Sequence, residues 1–176
     1  MNIPDFFIHI KKDILDSLHA IEFQLDELEA SLKPRGLTNF EKNQIESMLL
    51  PLIGKPYEWG IEVPEDTPLD KIRAFDCSEM VEWLYKGALG YQMPDGSWNQ
   101  FNICERIQDP ECGDLGFKKN LESGIINHVG VVINHRFLVE AKGHKFGIVK
   151  TPIMEFESSI NFAAWGRPRL VKIGGA

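Results

Sequence analysis

A single cysteine at the mouth of an amphipathic helix constrains this chain more than any other feature. In the run Phe75-Asp76-Cys77-Ser78-Glu79-Met80-Val81-Glu82-Trp83-Leu84-Tyr85, the residues Met80, Val81, Trp83, Leu84 and Tyr85 offer a side to bury. Glu79, Glu82 and the following Lys86 are expected to face water. Asp76 stands where a helix cap is wanted. A thiol at Cys77 would lie beside unpaired backbone N–H groups and the positive end of the helix dipole. Cysteines in such a setting give up their proton more readily than free ones, and the same N–H groups can stabilise a developing oxyanion. Taken alone, the segment fits a nucleophile and a buried structural cysteine equally well.

The downstream sequence separates the two readings. Asn127-His128-Val129-Gly130-Val131-Val132-Ile133 reads as a strand, apolar and β-branched, with turn residues at both ends. A short polar turn, Asn134-His135-Arg136, leads into a second strand, Phe137-Leu138-Val139-Glu140-Ala141. Strands joined in this way form an antiparallel hairpin. A residue near the start of the first then lies close to one near the end of the second, so His128 and Glu140 are expected neighbours. A carboxylate beside an imidazole orients the ring, sets its tautomer and stabilises the imidazolium. Singly, His128 is an ordinary strand-end histidine and Glu140 a solvated edge residue. Together with Cys77 they compose the nucleophile, base and orienting group of a thiol hydrolase.

Six short motifs run in order through the same region. Gly54-Lys55-Pro56-Tyr57-Glu58-Trp59-Gly60 precedes Asp76-Cys77-Ser78, and Met93-Pro94-Asp95-Gly96-Ser97, with Gln100, follows the helix. Gly113-Asp114-Leu115-Gly116-Phe117 turns into a strand, His128-Val129-Gly130 carries the candidate base, and Trp165-Gly166-Arg167-Pro168-Arg169 closes the series. In these motifs, residues 40–170 resemble the NlpC/P60 cysteine peptidases, papain-like enzymes that cut the stem peptides of bacterial cell walls. The resemblance implies that Cys77 is the nucleophile and His128 the general base. It puts Glu140 at the third polar position, at the spacing found in many relatives. It further implies that Tyr57 borders the site and helps stabilise the oxyanion through its hydroxyl. Asp76 and Ser78 match positions that recognise the free amine of a stem peptide in some members. No metal or organic cofactor is implied.

The chain departs from the family pattern in three places. Glu79 replaces the small residue, usually glycine, that follows Asp-Cys-Ser, which adds charge and bulk near the helix start. Glutamate at position 140 replaces the more usual histidine, asparagine or glutamine, and its charge raises the basicity of the histidine it orients. The stretch Ile61 to Phe75 is longer than in compact relatives and rich in proline and acid. It reads either as a wall of the substrate groove or as a surface excursion.

Composition bounds the partners. A chain of 176 residues with 43% hydrophobic content can bury one sizeable core, so one domain with an appendage is expected. A net charge of −7 excludes the basic surface that nucleic acid binding requires. No stretch is apolar over a length that would span a membrane. Asp5 falls early in a mixed amphipathic start, so no secretion signal is read. The expectation is a mature form, or a protein made in the cytoplasm without a signal and then released or delivered to the cell wall, as phage enzymes and toxins are. Cys104 and Cys112 lack the short paired spacing of zinc ligands. They could pair in an oxidising compartment, but free thiols are the default without a signal.

The chain is expected to divide near residue 36. Over residues 4–32, Phe7, Ile14, Ile21 and Leu28 recur every seven positions, and Leu18, Leu25 and Leu32 follow at four, a heptad seam. Pro34 and Gly36 end the helix. Residues 1–36 thus form an amphipathic helix, either a docking or oligomerisation element or one laid over the protein's own core. Residues 37–176 form the catalytic domain. There Thr38-Asn39-Phe40-Glu41 is a capping box opening a helix that Pro51 should distort in its last turn. The nucleophile helix should end near Gly87 to Gly90, with loop from there to Asp114. Short strands are expected at residues 115–118, 128–133, 137–141, 147–150 and 162–169. Helices followed by a run of antiparallel strands give an α+β fold in which the nucleophile helix packs on the sheet. The other histidines, 9, 19, 135 and 144, are read as surface residues.

The expected reaction is hydrolysis of a peptide bond in a peptidoglycan stem peptide. From the resemblance, the bond joins D-glutamate to the following diamino acid. Two rivals remain open on sequence: a papain-like amidase, acyltransferase or deamidase acting on a protein target, and a non-catalytic scaffold assembled by the N-terminal helix.

Overall fold

The computed structural model describes residues 14–15, 17–25 and 36–173. Two compact units form, Met1–Lys33 and Pro34–Ala176. In the first, residues 14–15 and 17–25 are helical, and Ile14, Leu18, Ile21 and Leu25 of the heptad seam are all exposed. Phe7, Leu28 and Leu32 of that seam, together with His9 and Pro34, lie outside the described residues.

The second unit opens with helix α1 (Asn39–Leu49). Its capping box is complete. The Thr38 hydroxyl accepts the Glu41 N–H at 3.3 Å, and the Glu41 carboxylate accepts the Thr38 N–H at 2.8 Å. Ile45 and Leu49 are fully buried. Pro51, which has no N–H to continue the ladder, converts the end of α1 into a 3-10 turn over Leu50–Leu52. Helix α2 (Cys77–Trp83) follows and widens into a π-turn over Leu84–Ala88.

Two elements appear where a loop is expected. Helix α3 (Ser97–Asn102) starts after Gly96, whose φ of 79° makes the turn, and no side chain caps it. Strand β1 (Cys104–Ile107) then pairs with the last strand of the domain. Neither has a periodic sequence signal, because α3 is short and β1 is stabilised by a partner some sixty positions away.

The remaining strands are β2 (Leu115–Lys119), β3 (Ile126–Asn134), β4 (Phe137–Ala141), β5 (Ile148–Pro152) and β6 (Phe162–Pro168). A short helix α4 (Ile153–Glu157) lies before β6. They form one antiparallel sheet in the order β1-β6-β2-β3-β4-β5. The fold is α+β, as the sequence implies. Alternation along β3 and β4 divides the core. Val131 and Val139 join Met80, Val81 and Leu84 of the nucleophile helix, whereas Val132 and Leu138 pack with Phe156 and Trp165. Each such side chain contributes roughly 1.5–3 kcal/mol on burial. Arg167 of β6 grips Asp114 with two hydrogen bonds, at 2.9 and 2.8 Å, which ties the turn into β2 to the closing strand.

Candidate active site

Cys77 is the first residue of α2 and is 7% exposed. Asp76 caps that helix and does more. Its Oδ1 accepts the Glu79 N–H at 2.8 Å and the Ser78 hydroxyl at 3.1 Å, while its Oδ2 accepts the Gly60 N–H at 3.0 Å. The cap therefore also holds the end of the Gly54–Gly60 motif. The rest of that motif is laced beside the nucleophile. The Glu58 N–H donates to the Phe75 carbonyl at 3.1 Å and the Phe75 N–H to the Pro56 carbonyl at 3.3 Å. On the other side, the Gly54 N–H donates to the Ile148 carbonyl at 2.8 Å. Gly147 (φ 66°) lets β5 come this close, since a Cβ there would lie 2.4 Å from the Lys55 oxygen. Tyr57 is thereby held near Cys77. Burial, then the negative charges of Cys77 and Asp76, push its phenol up to about 12, so the hydroxyl keeps its proton and can donate it.

His128 of β3 lies diagonally across the hairpin from Glu140 of β4, with Nε2 2.6 Å from Oε2. That contact leaves Nδ1 as the nitrogen for Cys77. Burial opposes charge on the ring, but hydrogen bonds to Cys77 and Glu140, and their negative charges, outweigh it and raise the imidazole to about 9. Glu140 is fully buried. Burial disfavours its ionised form as well. The hydrogen bond and charge of His128, the Thr151 hydroxyl at 2.6 Å and the charge of Lys118 hold it down to about 2. The arrangement can carry an imidazolium beside a carboxylate on one side and a thiol on the other.

Beside Asp76 opens a cleft of about 560 Å³ whose lining includes Gly60, Val63, Glu79, Glu82 and Asp95. Residues 61–65, at the start of the long stretch after the Gly54–Gly60 motif, line one side of this cleft. Glu79, expected to face water, is half-buried in the wall of this cleft. Its carboxylate turns back to accept the Val63 N–H at 2.6 Å. Burial, aided by the charges of Glu82, Asp76 and Asp95 and opposed by the Val63 hydrogen bond, raises it to about 7. Ser78 is occupied by its bond to Asp76. Gln100 is fully buried and donates to the Ser78 and Pro94 carbonyls, both at 3.0 Å, which anchors α3 to the start of the nucleophile helix.

The NlpC/P60 family model matches residues 54–164, well over half of the chain. The chain belongs to the NlpC/P60 family. Among curated relatives it is similar to a gamma-DL-glutamyl hydrolase of Bacillus subtilis (strain 168), 28% identical over 54% of this chain and 22% of that protein. It is also similar to the murein DD-endopeptidase MepH of Escherichia coli (strain K12), 32% identical over 51% of this chain and 32% of that one. The aligned region thus spans a third or less of these relatives. A solved NLP/P60-family structure from Staphylococcus aureus superposes with a TM-score of 0.60, at 21% identity, covering 77% of this chain and 44% of that one.

Within this NlpC/P60 domain, several residues near the candidate site escape a sequence reading. His144, read as a surface residue, is exposed, and its ring packs edge-on against Tyr57 with ring centres 5.1 Å apart. Thr151 bonds Glu140, and Lys118 and Lys142 lie close to the same carboxylate. Only strand register could reveal them. Cys104 and Cys112 are both free thiols, and burial pushes them up to about 12 and about 11, which leaves them inert beside Cys77.

Proposed function

We propose that this NlpC/P60 domain is a thiol hydrolase that cleaves a peptide bond in peptidoglycan stem peptides through Cys77, His128 and Glu140. The observation that carries this reading is the 2.6 Å contact of His128 with a fully buried Glu140, on a ring whose basicity Cys77, at a helix start, also raises. In the proposed cycle His128 holds the Cys77 proton and the thiolate attacks the amide carbonyl. The Cys77 N–H and the Tyr57 hydroxyl stabilise the oxyanion. The imidazolium protonates the leaving amine, and water then hydrolyses the thioester with His128 as base.

The cleft beside Asp76 suits an ammonium group, because Glu62, Glu65, Asp76, Glu79, Glu82 and Asp95 line it together with one cation, Lys86, which pairs with Glu82. We assign Asp76 to the free amine of a stem peptide, with Ser78 holding the Asp76 carboxylate through its hydroxyl. The bond we assign joins D-glutamate to the following diamino acid. The test is a panel of defined stem peptides, with free or acetylated N-termini, read by mass spectrometry. Cleavage after D-glutamate in the free-amine peptides is expected. Cleavage of none of them, with protein amides hydrolysed instead, would move the substrate to a protein target.

A further inference from the structure

Glu140 is fully buried, and its two oxygens are shared between two cations. The Lys118 ammonium is 4.0 Å from Oε2, the oxygen that His128 engages. The Lys142 ammonium is 3.6 Å from Oε1, the oxygen that Thr151 engages. A glutamate in this place brings a full negative charge where a neutral amide would bring none. Left uncompensated, that charge is destabilising, because it has lost its hydration. It also stabilises the imidazolium too well, and an over-stabilised imidazolium is a poor acid for a leaving amine.

Lys118 is built into the sheet. It is the register partner of His128 across β2 and β3, its side chain is only 12% exposed, and its ammonium sits 4.1 Å from the centre of the Phe156 ring. The ring face attracts the cation and fixes its direction. Lys142 follows β4 directly and is steadied by Glu155 of α4 at 3.3 Å. The charges around the His128–Glu140 pair are thus Lys118 from β2, Lys142 from the turn after β4, Glu155 from α4 behind Lys142, and Cys77 from α2. Thr151 of β5 adds a neutral hydroxyl.

We propose that Lys118 and Lys142 are positioning residues of this centre. With one ammonium against each oxygen of Glu140, they balance the charge that the glutamate brings and keep His128 acidic enough to return its proton. This rests on the Cys77–His128–Glu140 reading above.

The test is the NMR titration of the His128 Cε1–H in the full chain, assigned by its disappearance in His128→Gln. Wild type is compared with Lys118→Met, Lys142→Met and Lys118→Arg. Methionine keeps the hydrocarbon stem and removes the charge. The midpoint is expected to rise by about half a unit or more in each methionine variant and to stay near wild type in Lys118→Arg. The alkaline limb of turnover should rise with it, with kcat lowered and KM unchanged. An unchanged midpoint in the methionine variants that fold, as judged by circular dichroism, overturns the proposal. Because Lys142 is partly exposed, its variant remains informative if Lys118→Met fails to fold. Cys77→Ser separates the underlying reading. If it leaves the His128 midpoint at the wild-type value, Cys77 and His128 are uncoupled and the three-residue centre fails, whatever the lysines do.

Discussion

Gly130 leaves the space that Glu140 needs: a Cβ at residue 130 would lie 3.1 Å from the Cβ of Glu140. It would also come within 2.6 Å of Leu138 Cδ1 and 3.2 Å of the Val139 oxygen, so the Leu138 side chain must turn aside and Glu140 must shift slightly. Gly130→Ala should therefore loosen the His128–Glu140 contact. We expect a loss of about tenfold or more in kcat, since small misplacements of reacting groups are costly. The destabilisation should be roughly 1–3 kcal/mol, as for other overpacked sites. Steady-state kinetics and urea unfolding on the same preparations check both.

Cys77 and Glu140 together set the pH range of His128, through their hydrogen bonds to the ring and then their negative charges. Its pKa is raised from 6.5 to about 9, so its contribution to stability is complete below about 6.5 and is lost as pH rises through about 9. Turnover that needs the imidazolium should fall over the same upper limb. Glu140→Gln keeps an acceptor for the ring but removes the charge, so the limb moves to lower pH. Activity should suffer less than in His128→Ala. A pH–rate profile of the three proteins measures this, and equal losses in the two variants would mean that the charge itself is required.

Tyr57 is protonated throughout the working range, because its phenol is pushed up to about 12. If its hydroxyl meets the oxyanion, Tyr57→Phe should lower kcat by about 10²-fold and leave KM nearly unchanged. A change in KM alone would instead make Tyr57 a wall of the groove, shared with His144.

Glu41 offers a stability prediction remote from the chemistry. Burial disfavours its charge, but hydrogen bonds from Tyr91 at 2.5 Å, from Thr38 and from Lys172 hold it down to about 2. Its pKa is depressed, so its stabilisation is present above about 4.5 and is lost as pH falls through about 2. Glu41→Gln should cost about 2 kcal/mol at pH 7 and progressively less toward pH 2. Thermal melts across that range provide the check.

The parts of this domain legible in the sequence are those specified by local pattern. The Thr38–Glu41 box, the Pro51 break, the Cys77 helix and the hairpin that joins His128 to Glu140 all follow from residues close together in the chain. The strand Phe137–Ala141 forms with the bounds expected after the Asn134-His135-Arg136 turn. What escaped depends on long-range register. Lys118 meets His128 only through β2–β3 pairing, and His144 meets Tyr57 only because β5 docks on the Gly54–Gly60 motif. Glu79 lies on the polar side of its helix, yet the folding back of residues 61–65 brings the Val63 N–H to its half-buried carboxylate.

The most direct measurement is digestion of purified peptidoglycan by wild type and Cys77→Ala, with released fragments identified by mass spectrometry. The substitution removes one sulfur from a site whose packing and cap remain, so the fold should be retained. The account predicts new stem-peptide ends with wild type and none with Cys77→Ala. Equal release by both proteins would contradict it, because no route through the His128–Glu140 pair runs without the Cys77 thiol.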